Sequence, residues 1–210
     1  MTTRADLIKK VKVKLEELSP FDEPSSLLAI PNNDIKPIQS YIDETLDKSF
    51  DDVLLSVPLH AIRTTINDYA PTFTLKDGVG YCPVPDDFLR LYTVAFPEWR
   101  RDVKLYITPT TSDTYNLQRN KYTRGKYEKP IVAINDNKFE FYSLKNTPVK
   151  GKYTFRYVPM TKADTLLFED GLADYLVLQN AIHVLQIFEQ YDKAKTLGEE
   201  LSNKISVISV

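Results

Sequence analysis

Residues 130–143 read PIVAINDNKFEFYS. Two runs in which apolar residues alternate with others flank Asn135-Asp136-Asn137, and this pattern predicts a β-hairpin with a short polar turn. Working outward, KDGVG at 76–80 and VKG at 149–151 supply further turn signals. Between them the chain is rich in β-branched and aromatic residues. Candidate strands fall at 79–82, 89–95, 103–107, 130–134, 138–143 and 152–158. TPTTSDTYNLQRN (108–120) reads as a short helix between strands, capped by Thr108 or Thr110. KYTRGKYEK (121–129) reads as an exposed basic loop rich in tyrosine.

On either side the periodicity is helical. TRAD at 3–6 fits a capping box, and Leu7, Ile8, Val11, Leu15 and Leu18 recur on one face until Ser19-Pro20. Residues 19–33 hold three prolines and predict a loop anchored by Leu27, Leu28 and Ile30. Ile35, Ile38, Ile42 and Leu46 predict a second helix with Pro37 in its first turn. SFDD from Ser49 reads as a new cap, and Pro58 as the start of a further short helix. From Asp170 a helix is apolar on most sides, the pattern of an element buried between neighbours. A last helix carries Ala194, Leu197 and Leu201, and in NKISVISV (203–210) Ser alternates with β-branched residues as in a strand.

The expected class is therefore α+β. Residues 1–72 and 164–202 form a helical bundle, 73–163 a small antiparallel sheet region with an inserted short helix, and 203–210 a C-terminal tail.

Composition narrows the function classes. At 210 residues the chain can bury its own core without a disulfide or a structural metal. Hydrophobic residues are 42% and charged residues 27%, with a formal net charge of −2. That balance does not match a protein that coats DNA with clustered cations. Cys82 is the single cysteine, so no intrachain disulfide exists and a reducing compartment is expected. The charged N-terminal stretch has no apolar core of a signal peptide, and no run is long enough to span a membrane. A protein assembled in a cytosol is expected.

Catalytic patterns are missing from the sequence. His60 and His183 have no Cys, Asp or Glu at i+3 or i+4, the spacing of helical metal motifs, and both read as structural. Cys82 lies between Tyr81 and Pro83 with no nearby His, which describes a buried hydrophobe better than a nucleophile. No GxSxG, GxGxxG or GxxxxGK[ST] pattern occurs. Asp51-Asp52 reads as part of a cap and Asp86-Asp87 as a turn. No cofactor or metal is expected. The cation–aromatic mixtures around Trp99-Arg100-Arg101 and at 119–129 suit a protein interface, because Trp, Tyr and Arg are enriched at binding hot spots.

YCPVPDDFLRLYTVAFPEWRRDV (81–103) adds a resemblance. Pro85, Asp87, Phe88, Leu89, Arg90, Leu91, Val94 and Trp99 occupy positions that resemble a recurring core of tailed-bacteriophage head–tail adaptor (connector) proteins of the podovirus tail-accessory type. RGKYEKPIVAINDNKFEFYS and KYTFRYVPMT are similar to that family's hairpin and following strand. Ser143 stands where the family usually has proline.

The resemblance implies a structural virion protein at the head–tail junction, assembled in the bacterial host cytoplasm. It would be one subunit of a dodecameric ring around a DNA channel, with the portal and tail proteins as partners and no specific DNA binding, membrane contact or catalysis. The expected interface residues are Trp99, Arg100 and Arg101 at a rim, Tyr122, Arg124 and Tyr127 in the basic loop, and Ile205, Val207, Ile208 and Val210 in a portal-docking tail. The alternatives are a non-viral interaction module and, more remotely, a hydrolase. A structure without a His–Ser–acid or His–Cys neighbourhood would count against the hydrolase.

Overall fold

The computed structural model describes residues 2–18, 37–63, 65–109, 113–160 and 170–208. The loop expected at 19–33, with its apolar anchor, lies outside the described residues, as do Ile35, Thr110 and Val210. The fold is α+β, and the chain divides into two units: residues 1–64 with 161–210, and residues 65–160.

The first unit is helical. α1 (Arg4–Glu17) opens on the expected capping box, in which Asp6 N–H donates to Thr3 Oγ1 at 3.2 Å and Thr3 N–H to Asp6 Oδ2 at 3.3 Å. It buries Leu7, Val11 and Leu15. α2 spans Ile38–Ser56 without a break, so the cap expected at Ser49 is not one. The Ser49 hydroxyl bonds back to the Thr45 carbonyl at 2.7 Å, which absorbs a cap-forming residue into the helix interior. The helix stops at Val57, whose extended backbone suits the residue before Pro58, and only one 3-10 turn (Leu59–Ala61) follows. Arg4 ties α1 to α2 through Asp43 and Asp47, each at 2.7 Å.

α4 (Asp170–Ile187) buries residues on every side and packs against α1, α2 and α5 (Tyr191–Ile208). It ends at Glu189, whose φ of 59° is left-handed, while Gln190 N–H donates to Leu185 O at 2.9 Å. Of the strand expected at 203–210, residues 203–208 are the end of α5, and 209–210 lie outside the described residues. Ile205 continues the apolar row of Leu197 and Leu201 four residues on, and His60 Nε2 lies 2.9 Å from the Ile208 carbonyl. Helical continuity with a buried row outweighs the β-propensity of Ile and Val.

The second unit holds two antiparallel sheets. One runs β1 (Asn67–Asp68), β7 (Thr154–Pro159), β4 (Phe88–Ala95); the other runs β2 (Thr74–Lys76), β3 (Val79–Pro83), β6 (Lys138–Tyr142), β5 (Val132–Asn135). The hairpin quoted above is β5–β6, and its turn is the pair Asp136-Asn137 with φ of 47° and 58°. KDGVG forms the β2–β3 turn in the same way through Asp77 and Gly78.

Two short strands, β1 and β2, add to the expected set, whereas 103–107 makes only isolated bridges, Val103 to Val94 and Ile107 to Ala133. The unit begins at Thr65 rather than 73 because Asn67 and Asp68 pair with Tyr157 and Arg156. The expected boundary at 163 lies outside the described residues.

The two sheets face each other across an aromatic slab. Phe155 of β7 meets Phe139 and Phe141 of β6 edge-on, with centroids 5.1 and 5.5 Å apart. Phe73, Phe96 and Trp99 extend the slab. No helix among the described residues is long and apolar enough to cross a membrane.

Phe141 is fully buried at the centre of this slab. Phe141→Ala should cost about 3–5 kcal/mol and unfold the sheet unit well below the wild-type midpoint. Near-ultraviolet circular dichroism during urea titration reads this, and an unchanged midpoint would contradict the packing described.

Candidate functional site

The busiest surface of the sheet unit is built from residues 96–129, above β6. After β4 the chain turns at Phe96-Pro97-Glu98, and Trp99 N–H donates to Phe96 O at 2.9 Å. That turn folds the indole back onto Phe96, with centroids 4.8 Å apart and Trp99 only 7% exposed. Trp99 is therefore a core residue rather than a rim anchor, because the turn delivers it to the slab that already holds Phe96. Arg100 and Arg101 follow it into solvent.

Arg100 N–H donates to Tyr127 O at 2.9 Å, which ties this strand exit to the tight turn Lys126–Lys129. Lys145 Nζ lies 4.8 Å from the Tyr127 ring centroid, and Glu98 accepts from the backbone of Lys145 and Asn146. Beside the Phe96-Pro97-Glu98 turn a shallow groove of about 290 Å³ is lined by Phe96, Leu144 and Tyr153.

The basic loop is held from beneath. α3 is the single turn Thr114–Leu117, shorter than expected and preceded by Asp113 rather than a threonine cap. Gln118 is 2% exposed; its Nε2 donates to Thr114 O and its Oε1 accepts from Gly125 N–H, both at 2.8 Å. Glu140, on the outer face of β6, accepts from Tyr142 at 2.5 Å and from Tyr115 of α3 at 3.3 Å. Ser143 Oγ donates to the Gly125 carbonyl. A Cβ at Gly125 would stand 3.0 Å from Ile131, so the loop backbone approaches β5 as only glycine readily allows.

Pinned in this way, the loop presents Tyr122, 75% exposed, with Lys121 Nζ 5.0 Å from its ring centroid. Tyr127 is partly exposed and Arg124 half-buried. Of the residues expected at an interface, Arg100 and Tyr127 are joined directly, Tyr122 and Arg124 share their loop, and Arg101 lies beside Arg100. Ile205, Val207 and Ile208 belong to α5 in the helical unit; Val207 is exposed and the other two are half-buried. Val210 lies outside the described residues.

Sequence reasoning did not find Gln118, Gly125 or Glu140. Only the period-2 pattern of KFEFY, which sends Glu140 to the face opposite Phe139 and Phe141, hinted that something must cover it.

The helical unit contains the His–Ser–acid neighbourhood that the sequence gave no sign of. Ser49 Oγ lies 2.9 Å from His183 Nδ1, and His183 Nε2 lies 3.1 Å from Asp52 Oδ2. Ser49 is fully buried, bonds to the Thr45 carbonyl at 2.7 Å and accepts from Asn180 Nδ2 at 3.2 Å. The Ser49 hydroxyl is already committed as a donor to the Thr45 carbonyl. A nucleophile must also reach an acyl carbon, which this burial prevents. The cluster works as a clasp between α2 and α4.

No group of three or more His, Cys, Asp or Glu among the described residues is arranged to hold a metal ion. Burial pushes the Cys82 thiol up to about 12. No family model matches the chain, and no curated protein matches it.

Burial holds the His183 imidazole below its ordinary value; nearby Lys48 acts in the same direction, and Asp52 opposes them. Because the unfolded chain then binds the proton more readily, stability is full above the unfolded value of about 6.5 and falls as pH drops through it. Urea midpoints should decline from about pH 7 to 5, and His183→Gln should flatten that decline. A slope unchanged in the variant would remove His183 as its source.

Trp99→Ala should cost about 3–5 kcal/mol, as for other buried aromatics. Tyr122→Ala should change stability by less than about 0.5 kcal/mol. Thermal melts of the two variants check the assignment of core and surface.

Proposed function

We propose that this chain is a structural virion protein, a subunit of a head–tail connector ring that docks on a portal and joins it to the tail, leaving a channel through which DNA passes. The observation that carries the reading is the loop at 113–129. Its interior hydrogen bonds, made by Gln118, Tyr115 and Ser143, are spent on holding a fixed shape. Its exterior offers Tyr122, Tyr127 and the exposed Lys121, Lys126 and Lys129. Rigid aromatic and basic groups at a surface are the makings of a protein-binding patch, since little side-chain entropy is lost on contact.

The resemblance of residues 81–103 to adaptor proteins supplies the assembly, and β4 with its Phe96–Trp99 turn is the element that sets this loop's neighbour in place. The helical unit, with Val207 exposed near the end of α5, is the candidate face for the portal. The reading assigns the protein no catalytic residue, no cofactor and no membrane contact.

Negative-stain electron microscopy of the purified protein, alone and mixed with a portal ring from the same genome, tests this. Rings with a central channel are expected, and Tyr127→Ala should weaken ring formation about tenfold, the equivalent of about 1.4 kcal/mol at an anchoring side chain. Particles that remain single, compact subunits in both samples would favour an interaction module that binds one client.

A further inference from the structure

The formal charge of −2 is the sum of two blocks of opposite sign. The sheet unit, residues 65–160, holds 15 Lys and Arg against 10 Asp and Glu, a net of +5. The rest of the chain, the helical unit, holds 12 against 19, a net of −7. Within the sheet unit, TYNLQRNKYTRGK (114–126) carries Arg119, Lys121, Arg124 and Lys126 and no Asp or Glu. Arg119, Lys121 and Lys126 are exposed, and Arg124 is half-buried.

The backbone at the tip of this loop is closed on itself. Asn120 O accepts from Thr123 N–H at 3.1 Å and from Arg124 N–H at 2.9 Å, and Asn120 Oδ1 accepts from Tyr122 N–H at 3.0 Å. Thr123 Oγ1 donates to Leu117 O at 2.7 Å. With Gly125 N–H on Gln118 Oε1, the amides of residues 122–125 are all spent inside the loop. A lone phosphate therefore finds no cradle of backbone N–H groups in this stretch, and an anion must be met by side chains. Those side chains offer a planar ring among cations. Tyr122 is 75% exposed, and Lys121 Nζ lies 5.0 Å from its ring centroid.

We infer that the tip of the loop binds single-stranded nucleic acid without sequence preference. Tyr122 stacks on one unpaired base, while Arg119, Lys121 and Lys126 meet neighbouring phosphates. An aromatic platform beside cations that follow the backbone is what holds a single strand. A base paired within a duplex has no face free for the ring, so a duplex keeps only the charge contacts. An acidic protein is the weaker match, because lysine, which supplies two of the three exposed cations, is depleted at protein–protein interfaces. The net −7 of the helical unit repels the same strand, so contact concentrates on the sheet unit. The inference goes beyond the connector reading and does not need a ring; the ring contact tested above is Tyr127, in the following turn Lys126–Lys129.

The test is fluorescence anisotropy with the full chain and a short fluorescein-labelled oligothymidylate. Binding is expected at low salt. Three phosphate contacts give a log–log salt slope of about −2, close to a tenfold loss between about 50 and 150 mM. Tyr122→Ala should weaken binding by at least about fivefold, while Tyr122→Phe keeps it, since stacking needs the ring and not the hydroxyl. Lys121→Gln should make the slope shallower by about 0.7. Circular dichroism checks that each variant is folded.

Absence of oligothymidylate binding at low salt, or binding that Tyr122→Ala and Lys121→Gln leave unchanged, would overturn the inference. A duplex of the same length that binds equally well would overturn the single-strand assignment. Poly-L-glutamate that displaces the strand as readily as unlabelled oligothymidylate does would overturn it in favour of an acidic protein partner. Rings are read separately by microscopy, so their absence would count against the connector reading and leave strand binding as measured.

Discussion

Strand β6 is covered on both faces, and the sheet unit is organised around that constraint. Phe139 and Phe141 point into the slab between the sheets, while Glu140 and Tyr142 point the other way and are buried as well. A buried carboxylate must be hydrogen-bonded, and Tyr142 and Tyr115 supply the donors. Tyr115 can do so only if α3 lies over the sheet, and α3 in that position brings Gln118 down beside Gly125. One polar residue on an otherwise apolar strand thus recruits a lid, and the outer surface of that lid carries Tyr122 and the exposed lysines. Stability and presentation are one arrangement in this unit.

The helical unit solves a different problem. α4 is apolar on nearly every side, so hydrophobic contact alone says little about which side should face α2. Asn180 removes the ambiguity by donating to the Ile42 carbonyl at 3.2 Å and to Thr45 Oγ1 at 3.0 Å, and His183 adds its contact with Ser49 one turn further along. Buried polar contacts of this kind give up some stability in exchange for a unique register. The Oδ1 of Asn180 finds no partner among the described residues, which is a local cost of that exchange.

How far the sequence could be read follows from the range of the interactions involved. The Thr3–Asp6 box, the Asp136-Asn137 hairpin and the Asp77-Gly78 turn are local, each decided within a few residues, and they are where expected. Ser49 was misread because the same hydroxyl that caps a helix can bond back into one, and only the neighbouring α4 decides which. Trp99 was misread because its neighbours Arg100 and Arg101 are exposed, while the turn at Pro97 reverses the direction of the residue before them. At the C-terminus, a buried row shared with Leu201 outweighed the strand preference of Ile and Val. The charge blocks were hidden by averaging: a near-neutral total describes neither unit.

Cys82 shows what burial between the sheets does to chemistry rather than to shape. Burial pushes its thiol up to about 12, so the sulfur stays protonated at neutral pH. The sulfur is also only 3% exposed as a residue, so an oxidant must wait for the sheets to separate before it can react. Reaction at this sulfur therefore proceeds at a pace set by the breathing of the slab, and the one cysteine of the chain ages no faster than the fold around it opens.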